Sequence, residues 1–191
     1  IAALNADPFR VLVSTVISLR TKDEVTIHAS ERLLSLAPDP ASLLALDEDA
    51  VARLIYPAGF YRTKAKNLVR IAAILMERHG GKVPPDRDIL LSFPGVGRKT
   101  ANLVLNLGFG IDAICVDTHV HRVSNRTGWV TTSTPEETEY ALMEILMQEY
   151  WIEINELLVR YGQNVCTPVS PRCSLCGITE ECERRGVTTS R

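Results

Sequence analysis

Apolar positions in this chain recur mostly at intervals of three and four rather than two. Ala65, Leu68, Val69, Ala72, Leu75, Met76 and His79 fall on one helical face, and Gly80-Gly81 ends that run. Thr134-Pro135-Glu136-Glu137 has the form of a capping box with proline at the first helical position. It opens a helix carrying Tyr140, Ala141, Leu142, Ile145 and Leu146. Ile154, Leu157, Leu158 and Tyr161 mark another, running up to Gly162. Residues 9–19, FRVLVSTVISL, are almost continuously apolar. Their β-branched side chains would suit a buried strand, but the length of the run and the lack of a partner hairpin favour a buried helix. No strand pair is signalled elsewhere. The pattern predicts an all-α fold of roughly nine or ten short helices, with no repeat and no low-complexity stretch. Thr188-Thr189-Ser190-Arg191 reads as an unstructured tail.

One segment departs from simple amphipathic patterning. Residues 86–109 read DRDILLSFPGVGRKTANLVLNLGF. Asp86 caps a short helix that Pro94 breaks, Gly95-Val96-Gly97 makes a tight turn, and a second helix starts at Arg98. Glycine permits positive φ and lets another backbone approach without a Cβ in the way. The turn feeds a helix N-terminus, whose unpaired N–H groups favour an anion. That is a phosphate site needing no basic side chain. It matters because the net charge of the 191 residues is −2, which gives no global attraction to nucleic acid. Any DNA-binding face is therefore local. Arg62, Lys64 and Lys66 form one candidate cluster, and Arg98, Lys99, Arg122 and Arg126 another.

Apolar residues make up 46% of the chain, enough for a substantial core. No run of 18 uncharged apolar residues and no signal-peptide pattern occurs, so the expected setting is soluble, inside the cell and away from membranes. Four of the five cysteines, Cys166, Cys173, Cys176 and Cys182, are spaced C-x6-C-x2-C-x5-C. Four thiolates in so short a loop can hold a [4Fe–4S] cluster or a zinc ion. Only one C-x2-C knuckle is present, which favours the cluster. A reducing compartment disfavours the third alternative, disulfides. Cys115, in the run Ala-Ile-Cys-Val, reads as a small buried hydrophobe.

FPGVGRKTANLVL resembles the helix–hairpin–helix of the endonuclease III class of DNA glycosylases. VDTHVHRV, residues 116–123, resembles the aspartate-bearing segment that follows it, and the cysteine spacing is similar to that family's iron–sulfur loop. The resemblance runs from about residue 7 to 182. It implies two helical lobes with a DNA cleft between them: a six-helix barrel over 1–111, including the hairpin at 86–109, and an iron–sulfur domain over 112–191 with its cluster loop at 166–182. The resemblance implies an N-terminal helix packed on the cluster lobe, and the abrupt opening at Ile1 leads to the expectation that this helix is not part of the given sequence. The implied activity is base-excision repair by a monomer. Oxidised pyrimidines are removed from duplex DNA and the strand is nicked by β-elimination at the resulting abasic site.

Lys99 and Asp117 carry the chemistry in that reading. A neutral lysine amine is a nucleophile that forms a Schiff base. At its ordinary pKa, about one lysine in a few thousand is neutral at pH 7. The helix dipole contributes only about 0.3–1 kcal/mol, so burial against a flipped nucleotide must add more. Asp117 takes the proton as attack begins and stabilises charge developing on the sugar. It also stands where it would cap the helix at Thr118. Gly95, Val96, Gly97 and Arg98 are the expected phosphate contacts. His119 is a weaker DNA contact, and His121, two residues on, faces another way. Arg20 stands where many members of the family carry glutamine, at the residue that fills the gap left by the flipped nucleotide. Arginine there can still bond a guanine edge. Phe60 matches the wedge position and can stack between bases. Arg172, Arg184 and Arg185 flank the cysteines as further phosphate contacts. The alternatives are an adenine-excising relative, which lacks the hairpin lysine, and a non-catalytic DNA-binding scaffold.

Overall fold

The computed structural model describes residues 6–191, and these form ten α-helices and two single 3₁₀ turns, with no strand among the described residues. Two compact units result. One comprises the described residues up to Ile111 and the other is Asp112–Arg191.

The first unit contains α1 (Pro8–Ser18), α2 (Asp23–Leu36), α3 (Pro40–Leu44), α4 (Glu48–Ile55), α5 (Tyr61–Arg78), α6 (Arg87–Ser92) and α7 (Arg98–Phe109). The apolar run at 9–19 is helical, as its length suggested. Asp7 accepts the Arg10 N–H at 2.9 Å, and Pro8 takes the first turn. Thr15, fully buried in this helix, returns its hydroxyl to the Val11 carbonyl at 2.7 Å, so burial leaves no donor unpaired. Leu12, Val16 and Ile17 of α1 pack with Leu33, Val51, Ile55, Leu68, Leu75, Leu90 and Val104 in one continuous core. α1 lies against α2, α5 and α7, while α3 and α4 pack on α5.

The second unit holds α8 (Thr118–Thr127), α9 (Pro135–Ile145) and α10 (Glu153–Asn164), around Ile114, Val120, Val123, Leu142, Ile154 and Leu158. The expected capping box at α9 forms in modified register. Thr134 accepts the Glu137 N–H at 3.2 Å, but Glu137 reaches back to the N–H of Ser133 rather than that of Thr134. Gly162 does not end α10, which continues to Asn164. It is a point of close approach instead: a Cβ there would stand 2.8 Å from His119 Nδ1 and 2.9 Å from an Arg122 nitrogen. The C-terminal tail is irregular but tied down. Arg191 donates its N–H to Pro171 at 2.8 Å and accepts from Ser174 at 2.9 Å.

Candidate functional site

Five helices begin on an aspartate whose carboxylate accepts a backbone N–H of the first turn: Asp7, Asp39, Asp47, Asp86 and Asp117. Asp86 does this for α6 as the sequence predicted, with Ile89 N–H at 2.9 Å. Two helices among those described start with neither a capping side chain nor an acidic residue in the first turn, α5 and α7. An N-terminus of that kind keeps its positive end open to an external anion.

At α7 the turn Pro94–Gly97 delivers this end. Gly95 has φ 79, and an added Cβ would fall 2.4 Å from the Asn67 amide nitrogen of α5. The glycine is required both by its backbone and by the packing of the turn on α5. Val96 is buried and anchors the turn through its N–H to the Phe93 carbonyl, 3.1 Å. Gly97, in extended conformation, is exposed, and an added Cβ would meet open space. Lys99 is exposed in the first turn of α7, and Arg98 beside it is half-buried.

At α5 the structure brings together two residues forty positions apart in sequence. Phe60, the N-cap, has φ 56 and is exposed, and Arg20 has φ 53. The Arg20 guanidinium carbon lies 4.9 Å from the centre of the Phe60 ring, within cation–π range. Lys64, expected in an exposed basic cluster with Arg62 and Lys66, is instead 5% exposed. Its ammonium donates to the carbonyls of Ile17 at 2.7 Å and Leu19, and to Thr21 Oγ1 at 2.8 Å. Burial pushes its pKa down to about 8. Arg62 and Lys66 remain exposed.

In the second unit Asp117 caps α8. Its Oδ1 accepts the N–H groups of His119 at 2.8 Å and Val120 at 2.9 Å. His119 lies against Arg122, 3.2 Å from Nδ1, and against Gly162. His121 points elsewhere, to Thr138 Oγ1 at 2.6 Å. Arg122 and Arg126, expected as part of a solvated basic cluster, turn their guanidinium groups to backbone carbonyls of their own unit. Arg122 donates to the carbonyls of Gly162 and Cys166, and Arg126 to those of Thr167 and Pro168. Both clamp the start of the cysteine loop. Burial, and secondarily Arg126, holds the Arg122 guanidinium below its usual pKa.

None of the five cysteines forms a disulfide, which removes that alternative. Cys115 is fully buried. Cys166, Cys173, Cys176 and Cys182 line one cavity with Arg126, Tyr161, Pro171 and Ile178. Donors are aimed at the sulfurs. Tyr161 Oη lies 2.7 Å from Cys176 Sγ, Arg126 donates to Cys166 Sγ at 3.5 Å, and the Arg184 N–H to Cys182 Sγ at 3.4 Å. Among the described residues no three Cys, His, Asp or Glu side chains converge as a ready single-ion site. The flanking Arg172, Arg184 and Arg185 are all exposed; Arg184 donates to Thr179 Oγ1 at 2.9 Å, and Arg185 bonds the Val130 carbonyl and Thr131 and pairs with Glu183.

Sequence reasoning named Lys64, Arg122, Arg126 and Tyr161 but missed the buried role of the lysine, the clamping role of the arginines and the contact of Tyr161 with Cys176. Charge on a helix normally signals solvent, and nothing local told that α1 would end beside Lys64.

Comparison with known proteins places this geometry. Residues 13–148 match the family described as HhH-GPD superfamily base excision DNA repair protein. An endonuclease III of Thermotoga maritima is 49% identical over 183 residues, covering 94% of this chain and 86% of the relative. The chain belongs to the endonuclease III family of the HhH-GPD superfamily. The Escherichia coli K12 endonuclease III is 38% identical over 178 residues, 93% of this chain and 84% of that protein. The chain spans about half, 47%, of the chloroplastic endonuclease III homolog 2 of Arabidopsis thaliana, at 45% identity. Among solved structures, a trapped endonuclease III–DNA covalent intermediate superposes with a TM-score of 0.89 at 35% identity, covering 95% of this chain and 85% of that one. Membership in this family makes the chain a DNA-binding base-excision-repair enzyme, a DNA glycosylase and AP lyase. No described helix is long and apolar enough to cross a membrane.

Proposed function

We propose that this enzyme removes oxidised pyrimidines from duplex DNA and nicks the strand through a Schiff base on Lys99, acting as a monomer inside the cell. The single observation that carries this reading is the start of α7. An uncapped, acid-free N-terminus lies behind an exposed Gly97 and offers Lys99 from its first turn. The backbone at Gly95, Val96, Gly97 and Arg98 holds a phosphate of the damaged strand. The lesion is turned out of the stack at a cost of roughly a few kcal/mol, Phe60 wedges the step, and Arg20 meets the orphaned base.

Lys99 is exposed in the free protein, where bound DNA would cover it. Asp117 accepts the ammonium proton. The amine attacks C1′, the C1′–N bond breaks, and the base leaves with the electron pair and is protonated. The C1′–O4′ bond then opens, with O4′ taking a proton, to leave the iminium on Lys99, and loss of a C2′ proton from it expels the 3′ phosphate oxygen.

Cys166, Cys173, Cys176 and Cys182 are proposed to hold a [4Fe–4S] cluster. Four cysteines line one cavity, and their C-x6-C-x2-C-x5-C spacing, with a single C-x2-C knuckle, supports a multi-iron group over zinc. When bound, it staples the loop that Arg122 and Arg126 clamp. Arg172, Arg184 and Arg185 are the exposed basic groups it would present to phosphate, and His119 the weakest of the proposed contacts.

Incubation with duplexes carrying thymine glycol, an abasic site or an adenine mismatch tests the reading. Nicking of the first two without excision of adenine supports it. Binding without nicking, or adenine excision, refutes it.

A further inference from the structure

Lys64 stands between two exposed cations on α5, Arg62 and Lys66, yet is itself buried. An ammonium has three protons to donate. All three find acceptors within the fold, at Ile17, Leu19 and Thr21, so none is left for a phosphate. Those acceptors bracket Arg20. The left-handed φ of Arg20 is unfavourable for a residue with a Cβ and persists only where its surroundings hold it. Thr21 Oγ1 is a shared node, since it also accepts the Gly59 N–H at 3.0 Å. Gly59 in turn is pressed onto Arg20, where an added Cβ would lie 2.4 Å from the Arg20 carbonyl oxygen. Phe60, the next residue, is the second left-handed position and carries the ring beneath the Arg20 guanidinium.

From this geometry we infer that Lys64 is a positioning residue: it locks the turns at 18–21 and 59–60 together, so that Arg20 and Phe60 meet DNA as one preformed unit and set the preference for the base opposite the lesion. The inference rests on the reading of Arg20 and Phe60 given above. Lys64 acts through them and touches no DNA.

The test compares wild type with Lys64→Met, Thr21→Val and Arg20→Ala. Thr21→Val removes the node shared by Lys64 and the Gly59 N–H while leaving the Ile17 and Leu19 acceptors, and serves should Lys64→Met fail to fold. Two quantities are read: the ratio of single-turnover excision rates for thymine glycol opposite adenine and opposite guanine, and the slope of log affinity against log salt. Lys64→Met and Thr21→Val are expected to shift the ratio several-fold in the same direction as Arg20→Ala, with the salt slope of Lys64→Met unchanged. A salt slope reduced by about one would mark Lys64 as a phosphate contact and overturn the inference. So would an unaltered ratio in Lys64→Met and Thr21→Val while Arg20→Ala changes it, which leaves the role of Arg20 standing. An unaltered ratio in Arg20→Ala sinks both.

Discussion

Asp117 and Val120 are joined by a capping hydrogen bond of 2.9 Å, in which the carboxylate that is proposed to do proton chemistry also starts α8. The two roles separate by substitution. Asparagine caps about as well as aspartate, whereas alanine costs about 0.5–2 kcal/mol. Asp117→Asn is therefore expected to keep the thermal midpoint near wild type and to lose most lyase activity. Asp117→Ala is expected to lose both. Melting curves alongside nicking rates check this.

The hairpin glycines divide in a similar way. Gly95→Ala forces a non-glycine residue into positive φ and onto Asn67, and is expected to destabilise the first unit by about 1–2 kcal/mol. Gly97→Ala meets no protein atom. It is expected to leave denaturant midpoints unchanged while weakening DNA affinity, because the new methyl occupies the side from which a phosphate would approach.

Tyr161 offers its hydroxyl to Cys176 across 2.7 Å. Hydrogen bonds to ligand atoms orient them and secure the bound group. Tyr161→Phe is expected to fold with unchanged helical content but to lose iron several-fold faster to a chelator, followed by bleaching of visible absorbance.

Much of this was legible in the sequence and some was not. The hairpin, its Asp86 cap and the four cysteines follow from local chemistry: glycine where φ must be positive, aspartate where a helix starts, thiols at loop spacing. α1 was ambiguous because Val and Thr favour strands. Its threonine is accommodated by a bond to the preceding turn that periodicity does not reveal. Gly162 looked like a stop signal, yet its missing side chain serves α8, forty residues away. Arg122, Arg126 and Lys64 looked like solvated charge because most of their acceptors are backbone carbonyls, which carry no sequence signature. The tail, read as unstructured, is held through Arg191 by backbone groups of the cysteine loop.

The buried Lys64 makes a pH prediction whose sign is fixed by linkage. Its native pKa lies near 8, against an ordinary 10.5, because burial disfavours the ammonium. Below pH 8 both states hold the proton and this group adds no slope. Between these values the unfolded chain binds more protons, so its contribution to stability rises with pH. Wild type is thus expected to gain stability relative to Lys64→Met between about pH 7.5 and about pH 9.5, measured by urea denaturation of the two proteins in parallel.

The claim on which the mechanism depends is that Lys99 bonds covalently to deoxyribose. Borohydride trapping on a duplex containing an abasic site measures it directly. Wild type is expected to give a protein–DNA adduct that Lys99→Gln does not form, while Lys99→Gln still binds the duplex. An adduct that persists in Lys99→Gln would contradict the assignment.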